Sequence, residues 1–307
     1  MKKPSLLREV SIPIHPDCED VISATIERVF KLLPSFYVNE DTKETTALFY
    51  LDHSKLATPA LRKKIAAAMA ALAEGGFPSQ KGPVHVRRIR HEDWANSWKR
   101  HFKPIVIGRA LLIKPSWNRR RAKPGQIIIV LDPGLSFGTG QHATTRFCLE
   151  QLAALRRPLQ KQSFLDIGTG SGILAIAAAK LGYKPVRAFD FDPDAVRTAR
   201  ENSAANGTLR QARPVRQDLT KLGLTPARPF DMVCANLTYD ILLAHLERIT
   251  TRVAPEGALV LSGILVPQFD QVVTAYGKAG FKLLQECVEG EWRSGLFSRG
   301  SISKSPT

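Results

Sequence analysis

The stretch Phe164-Leu165-Asp166-Ile167-Gly168-Thr169-Gly170-Ser171-Gly172 restricts what this chain can fold into more than any other. An apolar strand pattern runs into glycines at every second position, and a helical pattern follows over residues 175–181. Strand, tight turn and helix in that order form the opening of a βαβ unit. Glycines at 168, 170 and 172 carry no Cβ, so the backbone can come close to a ligand at the helix mouth.

The spacing separates the ligands such a turn could take. A dinucleotide site needs G-x-G-x-x-G so that pyrophosphate meets the helix N-terminus, but here the third glycine comes one residue early and position 173 is Ile. An ATP-type loop lacks its Gly-Lys-Ser/Thr. Asp166 precedes the turn, and a second acid, Asp190, ends the next strand in Ala188-Phe189-Asp190-Phe191-Asp192-Pro193. Asp190 lies 22 residues after Gly168, one βαβ step, where a carboxylate can accept hydrogen bonds from both ribose hydroxyls.

The surrounding pattern keeps the alternation. Strands are expected at 164–167, 186–189, near 214–216, at 230–235 and 258–262, with helices at 193–206, 240–253 and 268–279, and closing strands at 281–288 and 292–298. This is an α/β order with a mostly parallel sheet covered by helices on both faces, its ligands outside the carboxyl ends of the strands. Residues 1–90 read differently. A strand at 6–14, a helix at 16–33, strands at 36–38 and 45–51, a helix at 59–74 closed by Gly75-Gly76 and a strand at 84–89 give β-α-β-β-α-β, the ferredoxin-like plan. Between the two halves, Trp94 and Trp98 are four apart on an amphipathic stretch and would share a helix face. Strands follow at 105–107, 111–113 and 127–131. The expected organisation is a ferredoxin-like substrate-recognition domain at 1–90, a linker of helix and strands at 91–130, and a cofactor-binding domain at 131–307.

Composition narrows the class further. With 307 residues, 44% of them hydrophobic, the chain can bury a core. No apolar run is long enough to cross a bilayer and the start does not read as a signal peptide, so a soluble, cytoplasmic protein is expected. Cys18, Cys148, Cys234 and Cys287 share no ligand spacing, which argues against zinc and disulfide scaffolds and for reduced thiols, buried in apolar settings such as Val233-Cys234-Ala235; no metal is expected. The charge is +16, concentrated in residues 1–125, which carry 23 basic and 12 acidic residues. Such a balance favours anionic partners, RNA among them, but specifies no groove or base. The run Arg119-Arg120-Arg121-Ala122-Lys123 reads first as a solvated loop tip.

The acid-preceded G-x-G-x-G turn resembles the first motif of class I S-adenosylmethionine-dependent methyltransferases, which have no phosphate to accommodate. Two further segments sharpen the resemblance: the glycine-rich Leu131-Asp132-Pro133-Gly134-Leu135-Ser136-Phe137-Gly138-Thr139-Gly140-Gln141-His142-Ala143-Thr144-Thr145, and Val233-Cys234-Ala235-Asn236-Leu237-Thr238-Tyr239. Together with Glu92-Asp93-Trp94, Ile113-Lys114-Pro115-Ser116-Trp117, Leu261-Ser262-Gly263-Ile264-Leu265 and Glu291-Trp292, they are similar to the methyltransferases of large-subunit ribosomal protein eleven, the PrmA family, over roughly residues 90–299.

That resemblance implies a Rossmann-like methyltransferase domain with S-adenosyl-L-methionine as cofactor, held by Thr145, Gly168, Asp190 and Asn236, with Gly170, Phe137 and Gly138 as further contacts. Asp218 falls where such folds meet the adenine amino group, or is a surface acid. The implied activity is methylation of lysine side-chain and N-terminal amines of the ribosomal protein by a monomeric enzyme. A free lysine, with a pKa of about 10.4, is mostly protonated at neutral pH, so the site must present it neutral and aligned. Asn236 is the expected catalytic residue, its side-chain oxygen and the carbonyl of Leu237 accepting hydrogen bonds from the amine; His142 is a conceivable proton acceptor. After Asn236 the chain reads Leu237-Thr238-Tyr239, not the Pro-Pro-Tyr of amine methylases acting on adenine or glutamine. The competing expectation is a methyltransferase acting on RNA or on another protein's amine or amide, or a binding protein that keeps the fold.

Overall fold

The computed structural model describes residues 6–15, 18–32, 34–38, 44–52, 57–77, 82–90, 104–132, 143–157 and 159–300. The chain divides into two compact units, Met1–Phe102 and Lys103–Thr307. The stretch 91–103, with Trp94 and Trp98, and most of the loop at 133–142, with Phe137, Gly138 and His142, lie outside the described residues.

In the first unit, strands β1 (Leu6–Ile14), β2 (Ser35–Val38), β3 (Thr45–Asp52) and β4 (His85–Arg90) form an antiparallel sheet in the order β2-β3-β1-β4. Val10, Ile12 and Ile14 alternate along β1, and their core includes Ile22 and Ile26 of helix α1 (Glu19–Phe30) and Leu61 and Ile65 of α2 (Thr58–Glu74). The four-residue spacing within each helix places those side chains on one stripe. Helix α1 stops where Lys31 turns left-handed at φ 57°. The order and pairing are the ferredoxin-like ones expected from the sequence.

In the second unit, β5 (Ile105–Ile107), β6 (Leu111–Lys114) and β7 (Ile127–Val130) make a small sheet. Ile107, Leu111, Ile113 and Ile129 enter the same core as Phe147 and Leu152 of helix α3 (Ala143–Ala154). The main sheet has seven strands: β8 (Phe164–Ile167), β9 (Val186–Asp190), β10 (Val215–Arg216), β11 (Phe230–Asn236), β12 (Val253–Leu265), β13 (Lys282–Glu289) and β14 (Trp292–Ser298). Their order is β10-β9-β8-β11-β12-β14-β13, parallel except where β14 pairs with β12 and β13. Strand β8 is buried throughout, as a central strand covered on both faces must be. Helix α4 (Ile173–Lys180) buries every residue from Ile173 to Ala178, and α5 (Pro193–Ala205) starts at Pro193 with Asp192 capping the N–H of Asp194.

One element differs from the sequence expectation. The helix over 240–253 is two short helices, α6 (Tyr239–Ala244) and α7 (Leu246–Thr250), with His245 leaving the helical region at φ −116°, ψ 22°. The apolar spacing survives because Leu242 and Ile249 both reach the core of that sheet face, so the pattern could not show the break. Strand β12 correspondingly begins at Val253, five residues before the expected start. Helix α8 (Val266–Lys278) closes that face. Between β10 and β11, only the short 3-10 helix Leu219–Lys221 stands where a crossover helix would be usual. Of the cysteines, Cys18, Cys148 and Cys234 are buried, the last in the apolar setting where burial was expected, whereas Cys287 is exposed on the edge strand β13. Among the described residues no helix is long and apolar enough to cross a membrane.

Candidate active site

The carboxyl ends of β8, β9 and β11 bring the sequence-predicted residues together. After Ile167 the chain turns through Gly168, Gly170 and Gly172 at φ of 73°, 53° and 82°, a left-handed region where a side chain is strained. Gly168 and Thr169 both donate their N–H to the carbonyl of Phe189 at 3.0 Å, tying the turn to the end of β9. Asp190 completes that tie: its Oδ2 accepts the N–H of Gly170 at 2.9 Å, and its Oδ1 accepts the N–H of Asp192 at 3.0 Å. Each oxygen thus uses one lone pair and keeps another for a ligand hydroxyl.

Asp166 acts one layer deeper. It is fully buried, and its Oδ2 accepts the hydroxyl of Thr169 at 2.6 Å, which fixes the turn from below. Burial pushes its carboxyl up to about 7; the Thr169 hydrogen bond and the backbone of Ala175 oppose that rise and the charge of Asp190 adds to it. Asp218, in contrast, caps the 3-10 helix, its Oδ1 taking the N–H and hydroxyl of Thr220, and these bonds hold its carboxyl below the ordinary value.

On the other side of the turn, Asn236 ends β11. Its Nδ2 donates to the hydroxyl of Thr144 on α3 at 3.3 Å, which orients the amide, and the backbone of Thr144 accepts the hydroxyl of Ser262 at 3.1 Å. The next residue links two glycines that matter here. A Cβ on Gly168 would stand 2.5 Å from Leu237 Cδ2. A Cβ on Gly263 would stand 2.6 Å from the Leu237 carbonyl oxygen and 3.0 Å from Asn236 Oδ1. Glycine at 263 therefore lets β12 pack directly against both oxygens, at its register shift between Leu261 and Ile264. Gly263 was within a quoted family segment but carried no chemical signal of its own; Thr144 was equally silent beside Thr145.

These features suit a nucleoside-bearing cofactor. The glycine turn offers close backbone approach and Asp190 offers acceptor capacity beside it. The Thr145 hydroxyl, in a residue 1% exposed, has no hydrogen-bond partner among the described residues. A buried orphan hydroxyl of that kind calls for a ligand or an unseen neighbour.

A parallel sheet read in this order, with the acid-preceded turn and the acid after the second strand, defines a class I S-adenosylmethionine-dependent methyltransferase. Within that class the chain belongs to the PrmA family: the model of that family, ribosomal protein L11 methyltransferase (PrmA), matches residues 19–299. A ribosomal protein L11 methyltransferase of Geobacter sulfurreducens is 47% identical over 222 residues, which are 72% of this chain and 71% of that protein. One from Chloroflexus aurantiacus is 40% identical over 232 residues, 69% of this chain and 70% of that protein. Among solved structures, a ribosomal protein L11 methylase from Lactobacillus delbrueckii subsp. bulgaricus superposes with a TM-score of 0.58 at 32% identity, covering 65% of this chain and all of that one. The family and the fold imply S-adenosylmethionine as the cofactor.

Proposed function

We propose that this chain transfers methyl groups from S-adenosylmethionine to amines of ribosomal protein L11, lysine side chains and the N-terminus included. The observation that carries the reading is Asn236 at the carboxyl end of β11, its amide oriented by Thr144 and the next residue, Leu237, packed on Gly168 of the glycine turn. The cofactor supplies an electrophilic methyl on a sulfonium, so the protein need not activate it.

In this reading Gly168, Gly170 and Thr145 hold the nucleoside and amino-acid parts, and Asp190 accepts from the ribose. Asn236 also borders the cofactor. For the acceptor, Asn236 Oδ1 and the Leu237 carbonyl take two N–H bonds from a neutral amine, so its lone pair is left to point at the methyl group. Orientation of this kind is worth more than any single hydrogen bond, because it replaces the entropy of an encounter with a held geometry. Desolvation beside the cationic sulfonium favours the unprotonated amine. The proton leaves to water, and no general base is required. The first unit docks the substrate protein, and the enzyme works as a cytoplasmic monomer.

The test is incubation of the full chain with methyl-labelled S-adenosylmethionine and, separately, purified ribosomal protein L11 or ribosomal RNA, followed by mass spectrometry of each. Label on amines of the protein supports the reading. Label confined to RNA contradicts it and favours the nucleic-acid alternative.

A further inference from the structure

The abbreviated connection between β10 and β11 leaves part of one sheet face without a helix over it. A cavity of about 280 Å³ opens there, bordered by Leu165, Phe189, Phe230, Arg187, Arg213 and Arg252. None of Thr145, Gly168, Gly170, Asp190 and Asn236 lines it. Leu165 and Arg187 are second residues of β8 and β9, Phe230 is the first of β11 and Arg252 precedes β12, whereas Phe189 is the fourth of the five residues of β9 and Gln217 follows β10, so the cavity runs along the sheet face from the amino ends of the strands. The crevice lies at their carboxyl ends.

The residue types are unusual for that place. Leu165 and Arg187 are register partners, as are Ile167 and Phe189, so Arg187 occupies the sheet face that elsewhere carries the core residues Leu165, Ile167, Phe189 and Val233. A face of this kind ordinarily carries an apolar residue at such a position. Arg252 is 7% exposed, with Nη2 donating to the Gly223 carbonyl at 2.9 Å and Nη1 to the Arg248 carbonyl. Burial and the charge of Arg248 weigh against its own charge. No acidic residue lines the cavity among the described residues, so this positive charge has no carboxylate there to offset it. Beyond the cavity, the segment 207–230 adds Arg210, Arg216, Lys221 and Arg228 against the single acid Asp218, already engaged with Thr220.

Guanidinium groups fork onto phosphate oxygens, and an apolar floor with aromatic rings suits a flat base. The volume falls just below the usual span of ligand sites, about 300 to 1,000 Å³, and leaves room for one nucleotide at most. We infer that this cavity is a binding site for a nucleotide phosphate, supplied either by a free nucleoside monophosphate or by one residue of an RNA strand, with Arg187 and Arg213 as its exposed phosphate ligands.

The full chain is titrated with AMP and with a fluorescein-labelled decaribonucleotide, by calorimetry and anisotropy respectively. The same titrations are run on Arg187→Gln/Arg213→Gln and on Arg119→Gln/Arg121→Gln, which removes equal charge from an exposed loop. Arg252 is left intact because its guanidinium holds the carbonyls of Gly223 and Arg248. The site predicts at least tenfold weaker binding in the first variant and less than twofold change in the second, with unchanged affinity for S-adenosylhomocysteine in both. AMP affected in this way identifies a free nucleotide as the source; the oligonucleotide alone affected identifies RNA. Binding of neither probe, equal losses in both variants, or a parallel loss of S-adenosylhomocysteine affinity in the first would overturn the inference.

Discussion

The Oδ2 of Asp190 accepts the N–H of Gly170 at 2.9 Å, so the acid expected to meet the ribose also holds the glycine turn that approaches the rest of the cofactor. The two motifs, 20 residues apart in sequence, are one mechanical unit. Asp190→Ala should therefore loosen the turn as well as remove ribose acceptors. Calorimetry should record a loss of S-adenosylmethionine affinity of about 1–3 kcal/mol, the range for hydrogen bonds to a charged group. Asp190→Asn retains one acceptor oxygen and should lose less. Equal affinities in the wild type and both variants would refute the role.

Asn236→Ala removes one of the two acceptors at Gly263 and the bond to Thr144. Turnover at saturating substrate should fall by about 100-fold, the scale at which loss of a positioned donor or acceptor is felt in other enzymes. Urea midpoints should change little, because the side chain is only half-buried.

Gly172 stands at φ 82° with a built Cβ 3.0 Å from Ala199 Cβ and 3.2 Å from the Ala199 carbonyl. Gly172→Ala should cost about 1–2 kcal/mol for the left-handed backbone alone, and more where α4 meets α5. Urea unfolding reads this directly, and Gly207→Ala is the comparison: φ is 70° there and nothing lies within 4 Å of the built Cβ. It should show the backbone cost without the clash.

Asp166 titrates against the usual direction for a carboxylate. Its folded pKa is raised from 3.8 to about 7, so between those values the folded state holds a proton that the unfolded chain releases. The contribution of this group to stability is therefore greatest below about pH 4, declines as pH rises through the window and levels off above about 7. Asp166→Asn cannot titrate and can still accept from Thr169. Its stability relative to the wild type should rise from pH 5 to pH 8, by on the order of 1–3 kcal/mol in urea unfolding. A difference independent of pH would contradict this assignment.

What the sequence disclosed followed from local physics. The ferredoxin-like unit and the alternating second unit were legible because each strand and helix carries its own period, as in Val10, Ile12 and Ile14 or Leu61 and Ile65. Asp190 was legible because its distance from the turn is set by one βαβ step. The break at His245 was not, since Leu242 and Ile249 keep apolar spacing on both sides of it. Gly263 was hidden for a different reason: its importance comes from what the end of β11 presents to it across a parallel pair, and no local pattern records that. The cavity at Arg187 was hidden in the same way, because a lone arginine in a strand reads as solvated until the missing cover over that face is seen.

The most direct test of the central claim is a calorimetric titration of the full chain with S-adenosylhomocysteine, alongside NADH as a pyrophosphate-bearing competitor for the same kind of turn. The account predicts one-to-one binding of the first and none of the second. Binding of NADH with no response to S-adenosylhomocysteine would contradict it.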